Sequence, residues 1–596
     1  MSDDSGSGLS GRQAFAAGTT GLIAASAGGP ARARPEADDG TPEQIHLSWG
    51  DDPARTVVVS WASAAQAVRP RVRIGERVIP AVERAGPHPG AAGWTYHARV
   101  DGLRPGATYG YAVTADNDAN AADPFSGTFT TAPEGRAKFR FTSFGDLAAP
   151  GESGAALAGQ AGYAVAAVES FQPLFHLLNS DLAGAGGIPS QAGREVGNQV
   201  QASAAYRPWL PVPGGHQPAA GQPAPGGGSF LAGEVFSARD DQPASGTAGH
   251  DGRWYAFRVG TALFVTLSGD DVAYRDAPAR GYSGGAQTRW LEATLAAARG
   301  DASIDWIVVQ LHHCACSSGT GAGRSGSPDR SDHSDHSDQS GPGGPGRTAG
   351  TASGSDLGVR REWLPLFDTY EVDLVLSGHD RGYERSFPVR GVDPGAGADV
   401  VTGTAADTCR PHPVTTVDSG VFDTSQGTVH LVLGGGTVLG GGNVLGAGGD
   451  RMPPEDNPGT GSALVARVFT RPAAPLPVPV PDARAPGDWA AGDTGAGDTG
   501  AGDAAPAVLL PGDEAAEVAT WSARRDTAAG PGIAVFDVNP GAEAGGQTSI
   551  IVRYYHAAGP DPLAAAAAEP GGDYLLFDAF TLVRPRSDGR RWHPRG

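Results

Sequence analysis

Hydrophobic positions follow two different patterns along the chain, and the change falls near residue 134. Between residues 42 and 133, short segments such as Ile45–Trp49 and Thr56–Trp61 show the alternating or continuous apolar positions of β-strands. The segment Leu103–Val113 contains a Tyr-Gly-Tyr sequence, typical of a strand whose tyrosine hydroxyl is tied to the preceding turn. These patterns predict an all-β sandwich over this part of the chain.

After residue 134, apolar strand patterns alternate with helical spacing. Lys138–Phe144, Trp306–Leu311 and Val372–Leu376 are apolar runs of strand length, whereas Tyr163–Leu178 and Thr288–Ala298 have the apolar spacing of helices. This alternation predicts an α/β fold. In α/β sheets, ligands bind at the carboxyl ends of the strands.

Two long segments have neither pattern. Residues 319–355 are rich in Ser, Gly, Asp and His, and residues 472–513 are rich in Pro, Ala and Gly. We therefore divide the chain into a leader (1–41), an N-terminal sandwich (42–133), an α/β domain (134–471) with a disordered insertion (319–355), a low-complexity linker (472–513) and a C-terminal strand extension (514–596).

Composition narrows the classes of function. The 596-residue chain has a formal net charge of −21, which argues against binding to nucleic acid or to anionic lipid. Its three cysteines are too few for a disulfide framework. No apolar run reaches the roughly eighteen residues of a membrane-spanning helix. The sequence gives no information on the oligomeric state.

The N-terminus has the features of an altered export signal. The segment Ser10–Phe15 resembles a twin-arginine motif in which Gly11 replaces the first arginine, and a weakly apolar stretch follows it. Asp3 and Asp4 make the preceding region acidic, which is unusual for such a signal. Secretion, or display at the cell surface, and retention in the cytoplasm both stay open.

Five polar residues lie at or just after predicted strand ends: Asp146, Asp181, His216, His312 and His379. Carboxylates mixed with imidazoles are the ligands that hard to borderline divalent or trivalent metals prefer. A single Asp after a strand is more often a turn or capping residue, so the indication comes from the set.

The sequence around these residues resembles a known family. Five blocks occur in order: Phe144-Gly145-Asp146, Asn179-Ser180-Asp181, Pro213-Gly214-Gly215-His216-Gln217, Val308-Val309-Gln310-Leu311-His312 and Ser377-Gly378-His379-Asp380-Arg381. They resemble the calcineurin-like metallophosphoesterases, and within them the purple acid phosphatase branch, in a bacterial form with an N-terminal fibronectin type III-like sandwich. The resemblance covers about residues 42–470 and continues into Trp521–Thr527 and Phe577–Leu582.

This resemblance implies an α/β domain with a two-sheet β-sandwich core and hydrolysis of small phosphate monoesters at two metal ions, with zinc, iron or manganese as candidates. Asp146 would bind the first metal and Asp181 would bridge both. His312 and His379 would bind the second metal, and His216 would protonate or orient the leaving oxygen.

Three of the seven protein ligands of the family are substituted. The tyrosine of the second block is Gly184, the asparagine of the third is Gly215, and the second histidine of the last block is Arg381. These substitutions remove ligands mainly from the first metal site. The resemblance then implies a mononuclear site of Asp181, His312 and His379 with an open position.

Arg381 suggests how the loss of the first metal is compensated. A guanidinium beside Asp146 would neutralise that carboxylate, and it could also bind a phosphate oxygen. Two functions stay open: a phosphomonoester hydrolase with one metal, or a catalytically inactive pseudophosphatase that binds phosphate or a surface.

Two glycine-rich motifs have simpler explanations. Gly281–Gly285 matches the Gly-x-Ser-x-Gly pattern of serine hydrolases, but no strand precedes it, so we expect a turn before a helix. Gly434–Asn443 follows the strand pattern Val429–Leu433, as a dinucleotide-binding loop would, but no helix pattern follows it.

Overall fold

The computed structural model describes residues 40–84, 94–120, 122–145, 154–179, 190–212, 247, 249–250, 252–274, 280–318, 354–380, 382–393, 409–434, 465–469, 514–526, 532–557, 574–589 and 592.

The N-terminal part is a sandwich of two antiparallel four-stranded sheets, in the orders β1-β2-β6-β5 and β4-β3-β7-β8. Its strands are β1 (Glu43–Ser48), β2 (Val57–Ser63), β3 (Arg71–Ile74), β4 (Arg77–Pro80), β5 (Val82–Arg84), β6 (Trp94–Val100), β7 (Thr108–Thr114) and β8 (Phe125–Thr130). The predicted tyrosine contact is present, because the Tyr109 hydroxyl accepts a hydrogen bond from the Arg104 N–H at 2.7 Å. The all-β prediction for this region is confirmed.

The α/β part contains the remaining elements. In chain order they are β9 (Phe139–Phe144), α1 (Gly154–Phe171), β10 (Phe175–Leu178), α2 (Ser190–Ala204), β11 (Trp209–Pro211), β12 (Tyr255–Val259), β13 (Ala262–Thr266), α3 (Ala286–Gly300), β14 (Trp306–Leu311), β15 (Ser355–Asp356), α4 (Leu357–Glu362), α5 (Leu364–Thr369), β16 (Leu374–Ser377), β17 (Tyr383–Ser386), β18 (Val389–Asp393), β19 (Arg410–Pro413), β20 (Val421–Asp423), β21 (Val429–Leu433), β22 (Val465–Phe469), β23 (Glu514–Val518), β24 (Ser522–Asp526), β25 (Gly532–Asn539), β26 (Gln547–Ala557) and β27 (Tyr574–Pro585).

Most of these strands form two seven-stranded sheets. Sheet I has the order β11-β10-β9-β25-β26-β27-β20, and sheet II has the order β12-β13-β14-β16-β21-β17-β24. In sheet II the strands β13, β14, β16 and β21 are parallel, so their carboxyl ends lie along one edge. In sheet I, β9, β10 and β11 are parallel in the same way.

The two sheets pack face to face through aromatic side chains. The rings of Phe141 and Phe175 in sheet I each lie 5.1 Å from the Phe264 ring of sheet II, in edge-to-face geometry. Trp49 of the N-terminal sandwich contacts Phe175 at 5.0 Å, so one apolar cluster continues from the sandwich into the core. The predicted two-sheet core is confirmed.

One helix is shorter in the structure than the sequence predicts. Tyr163–Leu178 was expected to be helical throughout, but α1 stops at Phe171 and residues 175–178 form the buried strand β10. Gln172 has a positive φ of 47° and Pro173 follows it, which together break the helix. The predicted insertion also ends differently, because Ser355 lies in the buried strand β15.

Among the described residues, no helix is long and apolar enough to cross a membrane. Outside the described residues lie residues 1–39 of the leader, the Gly434–Asn443 loop beyond Gly434, the linker 472–513 and most of the insertion 319–355.

Candidate active site

His312 and His379 come together at the carboxyl edge of sheet II. His312 directly follows β14, and His379 lies two residues beyond the parallel neighbour β16. The N–H of Gly378 donates to the carbonyl of His312 at 3.2 Å, which fixes the two strand ends relative to each other. His379 adopts a left-handed backbone conformation with φ 65°, uncommon for a residue with a side chain and often found at functional sites.

A third histidine belongs to the same cluster. The ring centroids of His312 and His379 are 5.0 Å apart, and the ring of His313 lies 5.3 Å from His312 and 5.5 Å from His379. His312 and His313 are both buried. The three imidazoles therefore form a nearly equilateral triangle, which we call the histidine triangle.

Each ring of the histidine triangle has an oxygen beside its Nδ1 atom. His312 Nδ1 lies 3.4 Å from the carbonyl oxygen of Asn179, and His379 Nδ1 lies 3.3 Å from Asp380 Oδ1. His313 Nδ1 faces Asp270 Oδ1 at 3.8 Å. At His312 and His379 the oxygen lies within hydrogen-bond distance of Nδ1, which favours the tautomer with its proton there and the lone pair on Nε2.

The sequence analysis missed two members of this cluster, His313 and Asp270. Asp270 lies in a short 3₁₀ turn, Gly269–Asp271, after the parallel strand β13. A Cβ atom on Gly269 would lie 2.4 Å from His313 Nδ1, so only glycine leaves room for the ring there. His313 directly follows His312 after a predicted strand, so the rule that selected His312 could have found it. Asp270 follows β13, a strand that the sequence analysis did not predict, so no sequence signal indicated it.

Sheet I contributes to the same region. The N–H of Gly145 donates to the Leu433 carbonyl of sheet II at 2.6 Å, and the N–H of Asn179 donates to the Phe144 carbonyl at 2.9 Å. Together with the contact between Asn179 and His312, these bonds bring the carboxyl edges of the two sheets together. Asn179 therefore lies beside the histidine triangle, and Gly145 is held to the end of β21 at the same edge.

The segment after His313 is held by hydrogen bonds to buried acceptors. Cys314 Sγ donates to the Gly378 carbonyl at 3.1 Å, and the Ser317 hydroxyl donates to Asp380 Oδ2. Glu384 accepts bonds from the Ser318 N–H at 2.8 Å and from the Ser318 hydroxyl at 2.6 Å. These contacts hold the backbone that carries the histidine triangle.

Burial raises the pKa of Glu384 above its ordinary value, although the hydroxyls of Ser318 and Ser522 oppose this shift. The Ser522 hydroxyl donates to Glu384 Oε1 at 2.6 Å. Glu384 lies in β17 and Ser522 in β24, so the carboxyl group joins the edge strands of sheet II to the segment behind the site.

The Ser283 motif has the structural role expected from the sequence. The Ser283 hydroxyl donates to Asp271 Oδ2 at 2.6 Å and accepts from the Gln287 N–H at 3.3 Å, at the turn before α3. The hydroxyl is therefore part of a buried hydrogen-bond network at the entry to the helix.

Comparison with known proteins identifies the family. A family model described as the N-terminal domain of purple acid phosphatases matches residues 42–131. Two uncharacterized proteins of Mycobacterium tuberculosis, Rv2577 of strain H37Rv and MT2654 of strain CDC 1551, are each 33% identical over 96% of this chain and 93% of their own length. The fold is similar to that of the purple acid phosphatase PPD1 from yellow lupin (Lupinus luteus) seeds, with a TM-score of 0.50 and 16% identity over 92% of this chain and 75% of that one. The chain belongs to the purple acid phosphatase-like metallophosphoesterases.

The described residues contain only part of the ligand set that the purple acid phosphatase resemblance implies. His312 and His379 are brought together, whereas Asp146, Asp181, His216 and Arg381 lie outside the described residues, as do Gly184 and Gly215. Within the described part of the chain, no group of three or more His, Cys, Asp and Glu side chains could hold a metal ion.

The two described ligand positions nevertheless fit a shared ion. Two imidazoles bound to one tetrahedral zinc at ~2.0–2.1 Å have ring centroids roughly 5 Å apart. The separation of 5.0 Å between His312 and His379 matches this geometry. Each ring also has an oxygen at Nδ1, as histidine ligands of metals usually do.

Proposed function

We propose that the protein is a phosphomonoester hydrolase that uses a single divalent metal ion, with zinc, iron or manganese as candidates. The ion is held by Asp181, His312 and His379, and the substrate is a small phosphate monoester. The observation that carries the proposal is the proximity of the His312 and His379 rings at the carboxyl edge of sheet II. When bound, the metal supplies Lewis-acid polarisation of the phosphoryl group.

The remaining roles belong to residues of the chain itself. His216 holds a proton at the oxygen of the leaving alcohol and gives it up as the ester bond breaks. Arg381 binds a phosphate oxygen through its fixed fork of N–H donors and also pairs with Asp146, where the family has its first metal. If Arg381→His alone restored binding of two metals, the pairing with Asp146 would not be needed and this assignment would be wrong.

The first test is turnover of p-nitrophenyl phosphate between pH 5 and 8, with zinc, iron or manganese added to metal-stripped protein. We expect turnover on the order of 1 per second or more, which is within the ordinary range of enzymes. Asp181→Asn should abolish it, because the carboxylate charge is then missing from the ligand set. Activity equal to that of Asp181→Asn would overturn the proposal.

The substitutions at Gly184, Gly215 and Arg381 favour a second function, a pseudophosphatase that binds phosphate or a surface without hydrolysis. Metal content separates the two functions. The hydrolase should bind close to one ion per chain in equilibrium dialysis, whereas the pseudophosphatase should bind none stoichiometrically.

Secretion is a separate proposal that rests on the N-terminal segment Ser10–Phe15. Fractionation of cells that express the full chain and a variant without residues 1–41 tests it. Equal distribution of the two proteins would argue against an export signal.

A further inference from the structure

We propose that His250, Trp254 and Tyr282 form an aromatic subsite that receives the alcohol part of the substrate, so that aryl phosphates are preferred over alkyl phosphates. We call these three residues the aromatic cluster. The inference rests on the proposed function for the phosphate site itself, but it assigns the substrate class to residues that none of the family blocks contains.

The position of the aromatic cluster is the first argument. Trp254 directly precedes β12, whose first residue, Tyr255, pairs with Thr266 at the end of the parallel strand β13. Trp254 therefore lies at the carboxyl edge of sheet II. This is the edge at which α/β sheets bind ligands.

Tyr282 is attached to the turn that also faces the histidine triangle. Backbone N–H groups on both sides of Tyr282 donate to Asp271, one to its carbonyl at 2.8 Å and the other to Oδ1 at 3.1 Å. The neighbouring Asp270 lies 3.8 Å from His313 Nδ1. The aromatic cluster and the histidine triangle therefore contact the same short turn after β13.

The arrangement of the three rings is the second argument. The His250 ring stacks on Trp254 with centroids 4.6 Å apart, and the Tyr282 centroid lies 5.9 Å from His250 and 6.3 Å from Trp254. Trp254 is fully buried, whereas His250 and Tyr282 are half-buried and keep part of their surface exposed. A flat aryl group can stack on such rings and bury apolar area at the same time, which an alkyl group cannot do as well.

The charge beside the rings is the third argument. The guanidinium carbon of Arg253 lies 4.8 Å from the centroid of the Tyr282 ring, in cation–π geometry. Burial raises the pKa of Tyr282 to about 12, so the hydroxyl is neutral and does not repel an anion. In a chain with a net charge of −21, a cation at this position favours an aromatic ligand that carries a phosphate over a neutral one.

Binding of two non-hydrolysable ligands to the full-length protein tests the inference without requiring turnover. Phenylphosphonate carries the aryl group and methylphosphonate lacks it, and isothermal titration calorimetry measures the affinity for each with zinc, iron or manganese added. We compare wild type with Tyr282→Leu, with His250→Ala and with Tyr282→Phe, which keeps the ring. Far-ultraviolet circular dichroism checks that each variant folds, and His250→Ala provides the test if Tyr282→Leu does not.

Tyr206→Leu is the matched control. Tyr206 is 38% exposed and precedes the amino end of β11, so it lies at the opposite edge of sheet I from the carboxyl ends. Loss of this ring removes the same aromatic surface without changing the aromatic cluster.

We expect wild type to bind phenylphosphonate more tightly than methylphosphonate. Tyr282→Leu and His250→Ala should each reduce this preference roughly 3–10-fold, the effect of one aromatic contact. Tyr282→Phe and Tyr206→Leu should keep the wild-type ratio, and the affinity for methylphosphonate should be the same in all variants.

A wild-type protein that prefers neither phosphonate, or an unchanged ratio in folded Tyr282→Leu and His250→Ala, would overturn the inference. Turnover of p-nitrophenyl phosphate in the same preparation would then leave the proposed hydrolase intact. The expected ratios without turnover would support the aromatic subsite and overturn the hydrolase. Loss of both the preference and the turnover in wild type would overturn both.

Discussion

Arg299 and Asp373 form an ion pair in the protein interior, with Nη2 of the arginine 2.5 Å from Oδ2 of the aspartate. Both side chains are at most 2% exposed. Arg584 of β27 pairs with the other oxygen of Asp373, and the Thr424 hydroxyl donates to the same oxygen at 2.5 Å. Because Asp373 directly precedes β16, this cluster connects sheet II to sheet I.

Asp373→Asn should therefore destabilise the protein strongly. The substitution removes the carboxylate that pairs with Arg299 and leaves Arg584 with only the longer pair to Glu371 at 3.5 Å, and breaking a buried pair in this way costs about 3–5 kcal/mol. Urea unfolding measures the loss. The control is Glu134→Gln, which removes the exposed pair with Arg55, whose side chains are 46% and 51% exposed, and should cost at most about 1 kcal/mol. Equal losses in the two variants would contradict the prediction.

The same cluster gives a pH dependence with a defined sign. Burial by itself would raise the pKa of Asp373, but the charges of Arg299 and Arg584 outweigh it and lower the pKa below its ordinary value. Stability from a carboxyl with a lowered pKa is present above its unfolded pKa of ~3.9 and is lost as the pH falls toward the folded value. The stability difference between wild type and Asp373→Asn should shrink below about pH 4.

Glu384 should show the opposite dependence. Its pKa is raised by burial, so the stability it contributes is fully present below its unfolded pKa of ~4.3 and is lost as the pH rises through the folded value. In Glu384→Gln the side-chain N–H₂ faces at least one N–H or hydroxyl donor of Ser318 or Ser522, so a hydrogen bond is lost there. We expect the free energy of unfolding at pH 4 to fall by about 1–3 kcal/mol. Urea unfolding at pH 4 and pH 8 should give a smaller difference at pH 8. The exposed Glu362→Gln is the control, and a difference that grows with pH would refute the prediction.

Ser283→Ala tests the structural role of the serine motif. The variant loses the hydrogen bond to Asp271 and should be about 1 kcal/mol less stable. Phosphatase turnover should be unchanged, and hydrolysis of p-nitrophenyl acetate should be the same in wild type and variant. A loss of ester hydrolysis specific to Ser283→Ala would mean that the hydroxyl acts as a nucleophile.

The sequence predicted buried strands best. Trp306–Leu311 and Val429–Leu433 are strands with the predicted ends, since polar or glycine residues directly border these two runs. The error at residues 175–178 arose because a short apolar run does not distinguish a buried strand from a buried helix. Pro173 was the available signal for the break.

The candidate site was predictable only in part. His312 and His379 could be found because each follows a strand of the parallel group and matches a family block. His313 and Asp270 match no family block, and their proximity depends on the pairing of β13 with β14. Local sequence contains no information on that pairing, which is a long-range property of the folded chain.

Tyr111→Phe tests how the N-terminal sandwich is attached to the α/β core. The buried Tyr111 hydroxyl in β7 donates to the carbonyl of Ala205, which directly follows α2, at 2.6 Å. The variant leaves this buried carbonyl without its donor, so we expect a loss of about 1–3 kcal/mol in urea unfolding followed by tryptophan fluorescence. Tyr109→Phe is the matched control, since that hydroxyl accepts its bond from Arg104 at the surface and should cost less, about 0.5–1.5 kcal/mol. A loss in Tyr111→Phe no greater than that in Tyr109→Phe would mean that apolar packing, as between Trp49 and Phe175, holds the sandwich to the core without help from the hydroxyl.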